Sequence, residues 1–133
     1  MIRDQSPDVV DLTVLSDELF LVSINLYPYN PGHLMIFPRR HLEDVRAYTE
    51  QEERRMNELT RTFLSVLEKT HQPSGFNIGY NMGAVAGASI DHLHLHVIPR
   101  YPREIGIADL VAGNRVLIED PRITRDRIRE ELG

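Results

Sequence analysis

The sequence predicts an α+β domain: an antiparallel sheet of about five strands, one long helix packed on it near 49–69, and a C-terminal tail ending in a helix. Three observations predict this. Several short stretches alternate apolar and polar residues with the period of a strand. One long central stretch repeats apolar residues with the period of a helix. The connections between them are short, as in mostly antiparallel sheets. Length agrees, since 133 residues make one domain (core about 10–100, tail 101–133) that can bury a core without disulfides or metals.

In chain order, residues 1–8 are a polar lead-in and Val9 to Leu15 is a β-branched apolar run read as a first strand. Ser16-Asp17-Glu18 is turn chemistry. Phe20 to Asn25 is a second strand, with Phe20, Val22 and Ile24 on one face. Two prolines and a glycine break it, and His33 to Phe37 runs back, so residues 20–37 read as a hairpin. Thr49-Glu50-Gln51-Glu52 is a capping box, with threonine at the N-cap and glutamate three residues on. The helix behind it should reach about Lys69, turning Met56, Leu59, Phe63, Val66 and Leu67 to one side. Phe76 to Asn81 alternates again, Met82 to Ala88 is small and glycine-containing, and a last strand should run from about Ile90 to Arg100. In the tail, 105–111 fits helix or strand, 116–118 is a short apolar run, and Thr124 to Leu132 reads as a helix with Ile128 and Leu132 inward.

Composition narrows the function classes. A net charge of −5 argues against a non-specific nucleic-acid binder, which would carry a basic stripe. With no cysteine, disulfides and thiolate metal sites are excluded. No signal-like or membrane-length apolar run is present, so a soluble, cytoplasmic protein without a membrane partner is expected.

The chemistry concentrates in Asp91-His92-Leu93-His94-Leu95-His96-Val97-Ile98-Pro99-Arg100, which holds three of the six histidines. Strand alternation gives this stretch an apolar packing face and a second face with imidazoles about 6.6 to 7 Å apart. Three readings fit: ordinary polar strand residues, a three-histidine zinc site with an open position, and nucleophilic or acid–base chemistry by imidazole.

His92-Leu93-His94-Leu95-His96-Val97-Ile98 resembles the His-φ-His-φ-His-φ-φ signature of the histidine-triad (HIT) nucleotide hydrolases and transferases. Phe20 to Asn25, Pro31 to His41 and Asn81 to Ser89 resemble the segments that precede the triad there, so the likeness covers roughly residues 10–100. It implies a HIT-like fold, commonly a homodimer. It also implies cleavage of a phosphoanhydride at the α-phosphate of a dinucleoside polyphosphate through a nucleotidyl-histidine. Alternatives are nucleoside phosphoramidate hydrolysis, dinucleoside polyphosphate phosphorolysis, and a non-catalytic nucleotide-binding scaffold.

The resemblance also assigns roles. His94 is the nucleophile; a backbone carbonyl accepting from Nδ1–H would leave Nε2 free to attack. His96, as a histidinium, contacts phosphates and protonates the leaving group. His92 pairs with His33, the two holding the cluster. Asn81 and Ser89 bind the reacting phosphate around the glycine-containing loop that includes Gly87, and Asn25 contacts the ribose. Asp91 points to the opposite face and is left out. Arg39, Arg40 and Arg100 read as solvated surface charges, and His41 as surface or interface. No resident metal or cofactor is expected, Mg²⁺ at most accompanying a polyphosphate substrate. The chain departs from the phosphorylase-like branch, having Ala88 where another polar side chain would sit and no Trp or Gly-Asp-Thr-Asn-Phe-like segment after the triad. That points to water as acceptor.

Overall fold

The computed structural model describes residues 11–26, 30–87, 92–102 and 119–133. Five strands form one sheet: β1 (Thr13–Ser16), β2 (Phe20–Ile24), β3 (Leu34–Pro38), β4 (Gly75–Tyr80) and β5 (Leu95–Arg100). Their order is β1-β2-β3-β5-β4, and every neighbouring pair is antiparallel. Helix α1 (Glu50–His71) joins β3 to β4 and helix α2 (Pro121–Leu132) closes the chain.

Alternation decides which face is covered. Phe20, Val22, Ile24, Leu34, Ile36, Leu95 and Val97 are buried in one core with Met56, Leu59, Phe63, Val66 and Leu67 of α1 and Ile128 of α2. Each fully buried side chain of this kind contributes roughly 1.5–3 kcal/mol over exposure. The expected capping box is present: Thr49 Oγ1 accepts from the Glu52 N–H at 3.1 Å, and Glu52 Oε1 accepts from the Thr49 N–H at 2.8 Å. Glu52 is also gripped by Arg40, whose Nη2–H and Nε–H donate to its two oxygens at 2.7 and 3.2 Å. That ion pair holds the Glu52 carboxyl below its usual pKa range.

Several boundaries differ from the sequence expectation. The last strand begins at Leu95 rather than Ile90, because the Leu93 N–H donates to Leu42 O at 2.7 Å and so leaves the β3 ladder. His92 and His94 therefore precede the regular strand. β3 starts at Leu34, one residue late, and the His33 carbonyl closes the hairpin mouth by accepting from the Asn25 N–H at 2.9 Å. α2 starts three residues early, since Asp120 accepts from the Arg122 N–H as N-cap and Pro121 supplies a preset φ at the first position. The expectations for 9–10, 105–111 and 116–118 fall outside the described residues.

Two features brace the hairpin loop from behind. Gly32 has φ +92°, and a Cβ there would lie 3.0 Å from Leu67 Cδ2 and 3.1 Å from Pro99 Cγ. Beneath it, the His71 side chain is only 3% exposed and its Nε2 lies 2.7 Å from Glu119 Oε1. Glu119 also accepts from Thr124 Oγ1–H at 2.5 Å and from Arg127 Nη1–H at 2.7 Å, tying the end of α1 to α2.

Candidate active site

β3 and β5 build the site by register. Met35 stands opposite His96 and Leu34 opposite Val97, so the odd residues of β3 and the even residues of β5 share the face turned away from the core. On the other side of β5, His96 is paired with Gly79, which has no side chain, and a Cβ there would have no atom within 4 Å. The sheet surface beside His96 is therefore open.

His94 is buried, at 7% exposure. Its Nδ1 lies 2.9 Å from the His92 carbonyl oxygen, so Nδ1 carries the proton and Nε2 keeps its lone pair. Its ring stacks on Phe37 at 5.1 Å and 26°, which fixes the plane. The His94 and His96 centroids are only 4.6 Å apart. The rings lean together because His94 sits ahead of the regular ladder, whereas an ideal strand would space them about 6.6–7 Å apart.

His33 pairs with His96, not with His92. His33 Nε2 lies 3.1 Å from His96 Nδ1, while His92 Nε2–H donates to Pro38 O at 2.6 Å and its ring stacks on Phe37. The register explains this. Met35 opposite His96 puts His33 one diagonal step from His96, whereas His92 lies at the far end of β3. Asn25 completes the cluster, its Nδ2 standing 2.8 Å from His33 Nδ1. The same amide nitrogen stands 3.4 Å from His33 Nε2, so it lies over the face of the His33 ring, and His33 and His96 share one proton between Nε2 and Nδ1.

His33 is pushed down to about 4, first by burial and then by the neighbouring His96 and His94. His96 is lowered from the ordinary histidine value by burial and then by His94. Both shifts are toward the neutral imidazole.

The small loop follows β4, whose last residue, Tyr80, stands opposite Leu95. Gly83 and Gly87 turn the chain with φ +87° and +95°, and a Cβ at Gly87 would lie 3.8 Å from Asn81 Nδ2. Asn81 and Gly87 are thus brought together. Ser89, Ala88 and Asp91 lie outside the described residues. The arginines have other occupations: Arg39 donates to Ser16 Oγ and, at 3.0 Å, to Asp17 O; Arg40 holds Glu52; Arg100 Nη1–H donates to Asn77 at 2.5 Å. His41 lies 5.5 Å from the His92 ring and 3.3 Å from Glu43. Among the described residues no group of three or more His, Asp or Glu is arranged to hold a metal ion, and no helix is long and apolar enough to cross a membrane. Sequence reasoning missed Phe37 as the surface under the His94 ring. The alternation that puts Phe37 on the histidine face was a usable signal.

The HIT domain family model matches residues 6–103. The chain belongs to the histidine-triad (HIT) family. It is 36% identical over 126 residues to the AP-4-A phosphorylase of Mycobacterium tuberculosis (strain H37Rv), covering 94% of this chain and 63% of that protein. It is 34% identical over 88 residues to the asymmetrical bis(5'-nucleosyl)-tetraphosphatase of Schizosaccharomyces pombe, covering 66% of this chain and 48% of that one. The chain thus spans less than two thirds of the length of these curated relatives. In fold it is similar to a hypothetical histidine triad nucleotide-binding protein from Sulfolobus tokodaii, with a TM-score of 0.74 at 22% identity, over 94% of this chain and 85% of that one.

Proposed function

We propose that this HIT protein cleaves dinucleoside polyphosphates at an α-phosphate, with His94 as the nucleophile. The observation that carries this is the 2.9 Å contact from His94 Nδ1 to the His92 carbonyl, which leaves a bare Nε2 on a ring whose centroid is 4.6 Å from that of His96. Attack by Nε2 forms a phosphorus–nitrogen bond and breaks the bond to the bridging oxygen, and the remaining polyphosphate departs. The neutral His96 donates a hydrogen bond from Nε2–H to that oxygen. Full protonation is not needed, because a polyphosphate is stable as an anion, with Mg²⁺ arriving on the substrate. Asn81, Gly87 and Ser89 hold the reacting phosphate, His92 supports the cluster, and no resident metal takes part.

In the second step an acceptor displaces His94 from phosphorus. Ala88, where the resemblance expects another polar side chain, favours water, giving a hydrolase. Two observations favour inorganic phosphate as a second reading. Phosphate dianion needs no base to attack, whereas water does. The relative matched across 94% of this chain is also named as a phosphorylase. We therefore take water as acceptor when phosphate is lacking and phosphate when it is plentiful. Diadenosine tetraphosphate, incubated with and without phosphate, tests both steps. No turnover of any nucleotide would leave the binding-scaffold reading.

The working unit is proposed to be a homodimer. β4 is an edge of the sheet with Ile78 46% exposed, and an open edge favours pairing with a second copy.

A further inference from the structure

The support under the hairpin loop 30–33 comes from residues remote from the triad in sequence. His71 is the last residue of α1, and Glu119, two residues ahead of α2, accepts from its Nε2–H at 2.7 Å. The other ring nitrogen is held as well, with Nδ1 2.6 Å from Thr70 Oγ1. Glu119 is fixed in turn by Thr124 and Arg127 of α2. The imidazole therefore has a set position. It stands where a side chain of residue 32 would go, since a Cβ on Gly32 would lie 3.5 Å from His71 Cγ. Glu119 and Thr124 also face the loop directly, lining with Gly32 and His33 a cavity of about 10 Å³. Such a space has room for about one water and none for a nucleoside, so these side chains support the loop rather than bind a ligand. The contacts then run on without a break. Gly32 is joined to His33 by one peptide bond, and His33 Nε2 lies 3.1 Å from His96 Nδ1.

We propose that Glu119 is a positioning residue: by holding the His71 ring under Gly32 it sets where His33 stands on the sheet, and so the His33–His96 contact beside the nucleophile. This rests on the proposed function, in which His96 meets the reacting phosphate. A tie between the two helices alone would not need this pair. Lys69 and Glu131 already join α1 to α2 at the surface, at 3.6 Å, and neither lines the cavity under the loop. The His71–Glu119 pair instead places a nearly enclosed ring under the residue that precedes His33. Burial holds His71 below the ordinary histidine value despite the carboxylate beside it, so the ring is neutral near pH 7.5. Removing the carboxylate therefore strands no buried charge; it frees the ring, and the loop above it loses its floor. Thr124 keeps the Asp120 carbonyl as an acceptor at 3.4 Å.

The test compares E119A, E119Q and the control E131A in the full chain at pH 7.5, well below the unfolding temperature. Ring resonances of His33 and His96 are followed by ¹H–¹⁵N NMR, and kcat and KM are measured with diadenosine tetraphosphate. E119A is expected to move the His33 and His96 signals, to leave exposed His41 unmoved, and to lower kcat about tenfold with little change in KM. E119Q keeps a carbonyl oxygen for His71 Nε2–H and Thr124 Oγ1–H, so it should stay near wild type in both readouts. E131A loosens the same two helices and should change neither. Should E119A not fold, E119D, which withdraws the carboxylate by one methylene, carries the same expectations. E119A lowering the urea midpoint while the His33 and His96 signals stay in place would overturn the proposal, since that is the behaviour of a tie between helices. So would E119Q as impaired as E119A. The spectrum does not depend on turnover: a wild type inactive toward nucleotides would count against the proposed function, and the His33 and His96 signals would still decide the role of Glu119.

Discussion

His33 and His96 are joined ring to ring across two strands, Nε2 to Nδ1 at 3.1 Å, one diagonal step from the Met35–His96 pair. This contact ties His96 to β3, whereas His94 is held through the His92 carbonyl, so the three imidazoles are not equivalent.

His94→Ala should lower turnover by at least about 10³-fold, because no neighbour offers an unprotonated nitrogen at the same point. The fold should persist, since Leu93, Leu95 and Val97 carry the packing. Circular dichroism and a single-turnover assay decide it. Wild-type turnover in the variant would remove His94 as nucleophile.

The acceptor is read from products. Diadenosine tetraphosphate without phosphate should give AMP and ATP. Excess phosphate should replace AMP by ADP, separated by anion exchange. AMP persisting in high phosphate would return the protein to the strict hydrolase reading.

Acid should weaken the fold partly through His33. The unfolded chain binds the proton near the ordinary histidine value of 6.5, and the folded protein only near about 4. Between those values the unfolded state is favoured as pH falls, and above 6.5 the group contributes nothing. The loss should be of order 1–3 kcal/mol by pH 4. His96 and His71, also lowered, act in the same sense. Urea midpoints from pH 7.5 to 4.5 should fall less steeply in His33→Gln. Parallel curves would contradict the depressed value.

Gly32→Ala should destabilise by roughly 1–3 kcal/mol, since φ +92° strains an L-residue and its Cβ would press on Leu67 and Pro99. Thr49→Ala should cost about 1 kcal/mol through the lost cap alone. Only the glycine variant should also impair turnover, because Gly32 adjoins His33. Equal effects on activity would mean that the hairpin loop is not braced as described.

Light scattering at tens of micromolar should give a dimeric mass. A monomer would leave the β4 edge and Ile78 without the partner proposed for them.

Much of this was legible in the residues. Alternation at Phe20, Val22 and Ile24, the Thr49–Glu52 box and the helical spacing from Met56 to Leu67 are local signals, and local chemistry decides them. The partner of His33 was not legible. It depends on how β3 and β5 slide past each other, which no neighbouring residue encodes. The Arg40–Glu52 and His71–Glu119 pairs were hidden for the same reason, each joining residues far apart in the chain. Asp120-Pro121 was a visible helix start that the apolar spacing from Thr124 obscured.

The Met35–His96 register has a further consequence. Successive side chains on a strand point to opposite sides, so the site has a parity. A slip of β5 by one residue against β3, as one residue inserted just ahead of Leu95 would cause, would turn Leu95 and Val97 outward and drive His96 into the packed interior beside α1. Two would restore the faces and merely move the imidazole one step along β3. Insertions at that point are thus tolerated, if at all, in even numbers, while the connection from Asn81 to His92 is under no such rule.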